Sequence, residues 1–128
     1  MKPEAQEWVD KADGDRKVAR REIQTADPVL NVVCFLAQQC AEKYLKGFLE
    51  EHNIAFHKTH DLLVLLQASR GLLSDLDSLR PQLAHLGTFG IATRYPGTQA
   101  DEEAAADAIQ TTEVVRTVVR MKLGLSDT

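Results

Sequence analysis

The feature that most constrains the fold is a stripe of apolar residues that recurs every three or four positions before His52. Its members are Leu30, Val33, Ala37, Cys40 or Ala41, Tyr44 and Phe48. This spacing places side chains on one face of an α-helix, whereas a half-buried strand would alternate apolar and polar residues. Asp27-Pro28 is a start signal, a capping acid followed by proline at the first helical position. The pattern therefore predicts a long amphipathic helix from Pro28 to about His52.

The two ends of the chain also carry helical patterns. A first helix is predicted from about Pro3 to Thr25, because proline suits a first helical turn. It has an apolar stripe interrupted by one acid, made of Trp8, Ala12, Asp15, Ala19 and Ile23. A last helix is predicted from the acids at residues 101–103 to about Leu123, before Gly124. Acidic side chains at a helix N-terminus interact favourably with the helix dipole.

The middle of the chain is predicted to hold two shorter helices. One covers residues 61–70, with Thr59 as its cap. The other lies between residues 74 and 89, where Pro81 either sets a start near Ser78 or breaks an earlier turn. Because short links join most of these helices, the expected fold class is all-α, an up-and-down bundle of four to five helices.

Composition and charge narrow the class of protein. The 128 residues are expected to form a single domain, and the net charge of −4 provides no overall basic excess that would favour nucleic-acid binding. Cys34 and Cys40 would lie roughly 9 Å apart along one helix, which does not suit a disulfide. Met1–Trp8 lacks an apolar signal-peptide core, and no apolar run approaches the ~20 residues that span a membrane. We therefore expect a soluble cytoplasmic protein with reduced thiols and no membrane association.

The predicted second helix carries a further stripe, which is polar except for one aromatic residue. It consists of Phe35, Gln38, Gln39, Glu42 and Lys46, with Lys43 beside it. One interpretation is a solvated face with a Glu42–Lys46 pair worth a few tenths of a kcal/mol. The other is a dimer or partner face, or a strip that faces a ligand. Phe35 favours the second, because a large aromatic side chain on a solvated face calls for a partner.

Asp15 lies on the apolar stripe of the first helix, where a buried carboxylate would need a cation or several hydrogen-bond donors. The candidate partners are Arg94, Lys43 and His60, and a structural ion pair is expected. An alternative is a helix register in which Asp15 lies at the edge of the buried face.

Two loop segments contain residue types that can bind a metal ion or an anion. His57 and His60 are three residues apart, but no carboxylate or cysteine cluster accompanies them, so no metal site is expected. Arg94-Tyr95-Pro96 combines an arginine, an aromatic ring and a rigid turn, which together suit the binding of an anion and the stacking of a base. Alternatively, Arg94 pairs with a core acid and Tyr95 closes the end of the bundle.

These motifs together resemble the HEPN domain, named for higher eukaryotes and prokaryotes nucleotide-binding. The resemblance covers residues 5 to 123. It rests on the early Trp8, Ala12 and Asp15, on the block from Phe35 through Gln38-Gln39 to Glu42-Lys43 and Lys46, on Thr59-His60-Asp61-Leu62, and on Arg94-Tyr95-Pro96.

The resemblance implies an up-and-down bundle of four or five helices that commonly forms a homodimer. It also implies a separate minimal nucleotidyltransferase as partner chain, in a toxin–antitoxin-like arrangement. Some members are metal-independent ribonucleases with an arginine, a polar residue directly after it, and a histidine four to six residues beyond. Here Pro81 follows Arg80 before His85, and no histidine follows Arg94. This departure puts ribonuclease activity in doubt, so we assign no catalytic residues.

The function expected from the sequence is a nucleotide-binding or partner-binding helical module. The residues expected to face a nucleotide phosphate or the partner chain are Arg94, Tyr95, Lys43, Lys46 and His60. Phe35, Gln38, Gln39 and Glu42 are the expected dimer or partner face. No cofactor is expected. The alternatives are a metal-independent ribonuclease, for which RNA would be the substrate, and a protein–protein scaffold without a small ligand.

Overall fold

A computed structural model describes residues 1–91, 93 and 95–126. These residues form five α-helices and one 3₁₀ helix, and no strand lies among them. The elements are α1 Pro3–Ile23, α2 Leu30–Glu51, α3 Leu62–Ala68, a 3₁₀ helix Ser74–Leu79, α4 Arg80–Thr88 and α5 Glu102–Lys122. The predicted all-α fold class is therefore confirmed.

The second helix begins two residues later than Asp27-Pro28 predicts. Val29, with extended backbone, is the residue before the first turn, and no side chain caps the helix there. The Val29 N–H donates instead to the Glu22 carboxylate at 2.8 Å. The predicted start at Pro28 is therefore wrong. The Val29 N–H, which the side chain of a capping Asp27 would have bound, is bound by Glu22 at the end of α1.

The caps of the later helices differ in how well the sequence predicts them. Asp61 caps α3, since its Oδ1 accepts from the N–H groups of Leu63 and Val64 at 3.0 and 3.3 Å. Thr59, the predicted cap, accepts only from the Asp61 N–H at 3.1 Å. Asp101 caps α5 by accepting from Ala104 at 2.8 Å.

Pro81 lies in the first turn of α4, directly after the 3₁₀ helix. Proline fits a first turn because its missing N–H would have no partner inside the helix there. The chain therefore changes from 3₁₀ to α geometry before Pro81, and the ambiguity about this segment is resolved in favour of a new helix that starts just ahead of the proline.

The helix α2 packs most extensively against α1 and α5. Lys2 at the start of α1 bonds Glu51 at the end of α2, so these helices are antiparallel. Asn31 in the first turn of α2 bonds Ala100, just before α5, so α2 and α5 run in the same direction. One cluster of buried side chains draws on every helix, with α2 at its centre. None of the described helices is long and apolar enough to cross a membrane.

At Gly47 the backbone of α2 lies close against α1. A Cβ atom at this position would lie 3.2 Å from the Trp8 Cβ and 3.4 Å from the Ala5 carbonyl oxygen. We expect Gly47→Val to lower the free energy of unfolding by about 1–3 kcal/mol, because the added methyl groups overpack this crossing. Urea denaturation measures the loss. Gly14→Val in α1, where nothing lies within 4 Å of the added Cβ, is the control, and an equal loss there would contradict the packing explanation.

Candidate functional site

A chain of polar side chains is buried on one face of α2. Gln38, Glu42 and Lys46 follow one another at four-residue spacing, and only 0%, 3% and 6% of their surfaces are exposed. The Glu42 Oε1 accepts from the Gln38 side-chain amide at 3.1 Å, and its Oε2 accepts from the Lys46 ammonium at 3.0 Å. The ammonium also lies 5.4 Å from the centre of the Trp8 ring. These three residues therefore do not form the solvated face that was one interpretation of the sequence.

His60 completes this network from the loop before α3. Its Nδ1 lies 2.9 Å from the Glu42 Oε1, and its backbone oxygen accepts from Gln38 at 3.2 Å. The rest of the imidazole is open, since 60% of the side chain is exposed. A carboxylate only accepts hydrogen bonds, so the Nδ1 of His60 carries the proton that is shared with Glu42. In the neutral ring, Nε2 is then the acceptor.

The exposed ring borders an open groove of about 580 Å³ between the loop before α3 and helix α4. The groove has mostly apolar walls, formed by Leu62, Leu63, Leu83, Ala84, Gly87 and Ile91. Ala84 and Gly87 on α4 leave room for the groove, because neither carries a long side chain that would cover this exposed face of the helix. Its volume falls within the range of small-molecule sites, and the groove is open to solvent.

The segment that follows α4 is held against the same polar chain. Gly90 lies on the Gln38 amide, and a Cβ at this position would lie 3.0 Å from the Gln38 Cδ. Farther along, Asn31 of α2 donates to the Thr98 oxygen at 3.2 Å and accepts from the Ala100 N–H at 2.8 Å. Tyr95, between these anchors, is 63% exposed. Arg94 lies outside the described residues.

The two lysines predicted to face a ligand have internal partners. Lys43 pairs with Asp15 at 2.6 Å, and both side chains are about four-fifths buried. Of the three candidate partners of Asp15, the described structure therefore pairs it with Lys43. Lys46 is held by Glu42, and neither lysine lines the groove at His60. Their role in ligand binding stays a prediction that these contacts do not support.

The four residues of the predicted partner face divide into two pairs. Gln38 and Glu42 are buried inside the bundle, so they do not present a surface to another chain. Gln39 and Phe35 are partly exposed, and the Gln39 amide donates to the Gln38 oxygen at 2.7 Å. A partner face on α2 would therefore involve Phe35 and Gln39.

Arg80 and His85 lie on different flanks of α4. A five-residue step turns a helix by roughly 140°. Arg80 bonds Asp77 at 3.4 Å, whereas the His85 ring meets the edge of Phe89 with centroids 5.2 Å apart. His85 lines a second groove, between α4 and α5, and Arg80 does not line it. Within one chain, Arg80 and His85 therefore do not line this groove together.

The sequence matches the model of the HEPN domain family over residues 5–122. The chain belongs to the HEPN domain family. Two solved structures share its fold. The protein TT1696 from Thermus thermophilus is 23% identical with a TM-score of 0.75, and the match covers 94% of this chain and 99% of that one. The protein ST0689, an archaeal HEPN homologue, is 24% identical with a TM-score of 0.77, and the match covers 96% of this chain and 99% of that one. No curated protein matches the sequence.

This HEPN domain contains a second, partly buried polar cluster, which the sequence analysis missed. The Tyr44 hydroxyl donates to Asp13, and Arg120 of α5 donates to Asp13 and to the Tyr44 oxygen at 3.2 and 3.3 Å. Burial, followed by the bond to Asp13, raises the pKa of the tyrosine. The signal in the sequence was a pair of arginines four residues apart, Arg116 and Arg120, within the apolar pattern of α5. The cluster ties α1, α2 and α5 together.

Neither cysteine of the HEPN domain has the properties of a reactive thiol. Both are free and buried. Burial raises the pKa of Cys34 to about 11 and that of Cys40 to about 12, so both thiols stay protonated at neutral pH. Among the described residues, no group of three or more His, Cys, Asp and Glu side chains is arranged to hold a metal ion. The groove at His60 combines space with an imidazole that is oriented by a hydrogen bond to a buried carboxylate.

Proposed function

We propose that this HEPN domain is a nucleotide-binding module, and that the nucleotide lies in the groove at His60. The observation that carries the proposal is the imidazole of His60, a residue that lines the groove: the side chain is 60% exposed while its Nδ1 is held 2.9 Å from a buried carboxylate. Binding sites typically combine apolar walls with a small number of oriented polar groups. The groove and His60 provide this combination.

The loop that contains Arg94 and Tyr95 is proposed to complete the site. Ile91, where this loop begins, lines the groove, and the adjacent Gly90 rests on Gln38, which also bonds the backbone of His60. Tyr95 offers an exposed ring for stacking on a base. The guanidinium of Arg94 suits a phosphate because it donates two parallel hydrogen bonds.

We further propose that the domain acts in the cytoplasm as a homodimer, together with a separate nucleotidyltransferase chain in a toxin–antitoxin-like pair. The partly exposed Phe35 and Gln39 on α2 are the proposed contact with the second copy. Co-expression of the domain with a candidate nucleotidyltransferase, followed by mass determination of the purified complex, tests the partnership.

Replacing His60 by alanine is expected to weaken nucleotide binding about tenfold. This is the effect of losing one hydrogen bond of about 1–1.5 kcal/mol to the ligand. Melting curves with AMP, ATP and GTP measure it, because a ligand at about 100 times its dissociation constant adds about 2.7 kcal/mol to the free energy of unfolding. The wild type should be stabilised by at least one nucleotide, and His60→Ala should need about ten times more of it for the same shift.

His57→Ala is the matched control for this experiment. His57 is an exposed histidine in the same loop, and it does not line the groove. We expect its variant to bind as the wild type does. If no nucleotide stabilises the wild type, or if both histidine variants lose binding equally, the groove at His60 is not a nucleotide site.

A further inference from the structure

The polar groups around the groove at His60 have an unexpected chemistry for a nucleotide site. The polar residues that line it are Thr59, Thr88, Asp61 and His60. The described lining contains no lysine or arginine. Asp61 carries negative charge at the rim, so a phosphate group placed in the groove would meet a like charge and no lysine or arginine of the described lining.

The hydrogen bond to Glu42 decides which side of the His60 ring meets a ligand. Glu42 is itself held in place by Gln38 and Lys46, so its Oε1 faces the Nδ1 of His60 and accepts the proton there. A buried carboxylate that holds one ring nitrogen of a histidine selects the tautomer and the orientation of the ring. In the neutral ring Nε2 is therefore the acceptor, on a side chain that is 60% exposed beside the groove, and an N–H or O–H donor on a ligand would match it.

We infer that the groove takes the base of the nucleotide and not its phosphate, and that His60 Nε2 accepts a hydrogen bond from an amino group on that base. This inference rests on the proposed nucleotide-binding function. Apolar walls suit a flat, uncharged ring, and the lack of a basic residue in the described lining leaves the phosphate to side chains outside the groove. Glu42 is a positioning residue in this site, since it acts on the ligand only through His60.

The test compares nucleosides that differ at the amino group. The pairs are adenosine with purine riboside and guanosine with inosine, and each nucleoside is titrated calorimetrically into wild type, His60→Ala and His57→Ala. In the pair that binds, the amino-bearing member should bind the wild type about tenfold more tightly than its counterpart. The His60→Ala variant should lose this preference, because the two changes remove the same hydrogen bond. His57→Ala should keep it.

If the groove holds the base, the nucleoside should bind without a phosphate, and the corresponding monophosphate should bind at least as tightly. Equal binding of both members of every pair would overturn the inference. Binding of the monophosphate without binding of the nucleoside would also overturn it, if His60→Ala loses the monophosphate and His57→Ala keeps it. Both results leave the proposed nucleotide site standing with a different ligand orientation. If no nucleoside or nucleotide binds the wild type, the proposed function and the inference fall together.

Discussion

Replacing Glu42 by alanine is expected to lower the free energy of unfolding by about 3–5 kcal/mol. The substitution leaves the Lys46 ammonium buried without its carboxylate partner, and removing one member of a buried ion pair has a cost of this size. It also removes the acceptor for the Gln38 amide and for His60. Because a domain of this kind is stabilised by about 5–15 kcal/mol in total, urea denaturation should show a large shift of the midpoint.

Two further variants show whether the carboxylate is the centre of the network. Glu7→Ala removes an exposed carboxylate that lies 3.8 Å from Lys11 on the surface of α1, and it should change the stability by less than about 0.5 kcal/mol. Lys46→Met keeps the volume of the lysine and leaves Glu42 with two of its three partners, so its loss should be smaller than that of Glu42→Ala. If Lys46→Met is the more destabilising of the two, this description of the network is wrong.

The second large effect is expected at Phe48 in the core. Its ring is almost entirely buried near the end of α2 and packs on the ring of His52 with centroids 4.3 Å apart. Phe48→Ala should lower the free energy of unfolding by about 3–5 kcal/mol, the usual cost of removing a buried aromatic ring and leaving a cavity. Thermal and urea denaturation, monitored by circular dichroism, measure the loss.

Phe35 is the matched control, because it is a phenylalanine on the same helix that is only partly buried. We expect Phe35→Ala to lose less than half as much stability as Phe48→Ala. Light scattering on the same sample also tests the proposed homodimer, since a dimer that uses this face should dissociate at higher concentrations in the variant. Equal destabilisation by both substitutions would mean that Phe35 belongs to the core of a single chain.

The polar strip of α2 separates what local sequence predicts from what packing decides. Four-residue spacing places Gln38, Glu42 and Lys46 on one helix face whatever surrounds them. Whether that face meets water depends on other parts of the chain. His60 bonds Glu42 from 18 residues away, and Gly90 covers the Gln38 amide from the far end of α4. No pattern within α2 reveals that a histidine and a glycine elsewhere will cover this face.

The sequence also left open which residues the charged side chains pair with, because these partners likewise lie far away in the chain. Asp15 had three candidate cations in the sequence, and its pairing with Lys43 follows from how α1 and α2 lie against each other. The cluster of Asp13, Tyr44 and Arg120 was missed altogether because it joins three helices. The position of an arginine in a helix does not show how deeply its side chain will be buried or which group will accept its hydrogen bonds.

By itself, the sequence determined the all-α class, the family and the approximate extent of the three long helices, while it left the number of helices at four to five and the segment around Pro81 open. Helical periodicity, acidic N-termini and proline positions act over a few neighbouring residues, so they can be recognised without knowledge of the rest of the chain. The tertiary structure alone decided that the polar strip of α2 is buried, that His60 borders a groove and that two lysines are internal counter-ions. These features depend on contacts between residues distant in the chain, and such contacts form only when the helices pack.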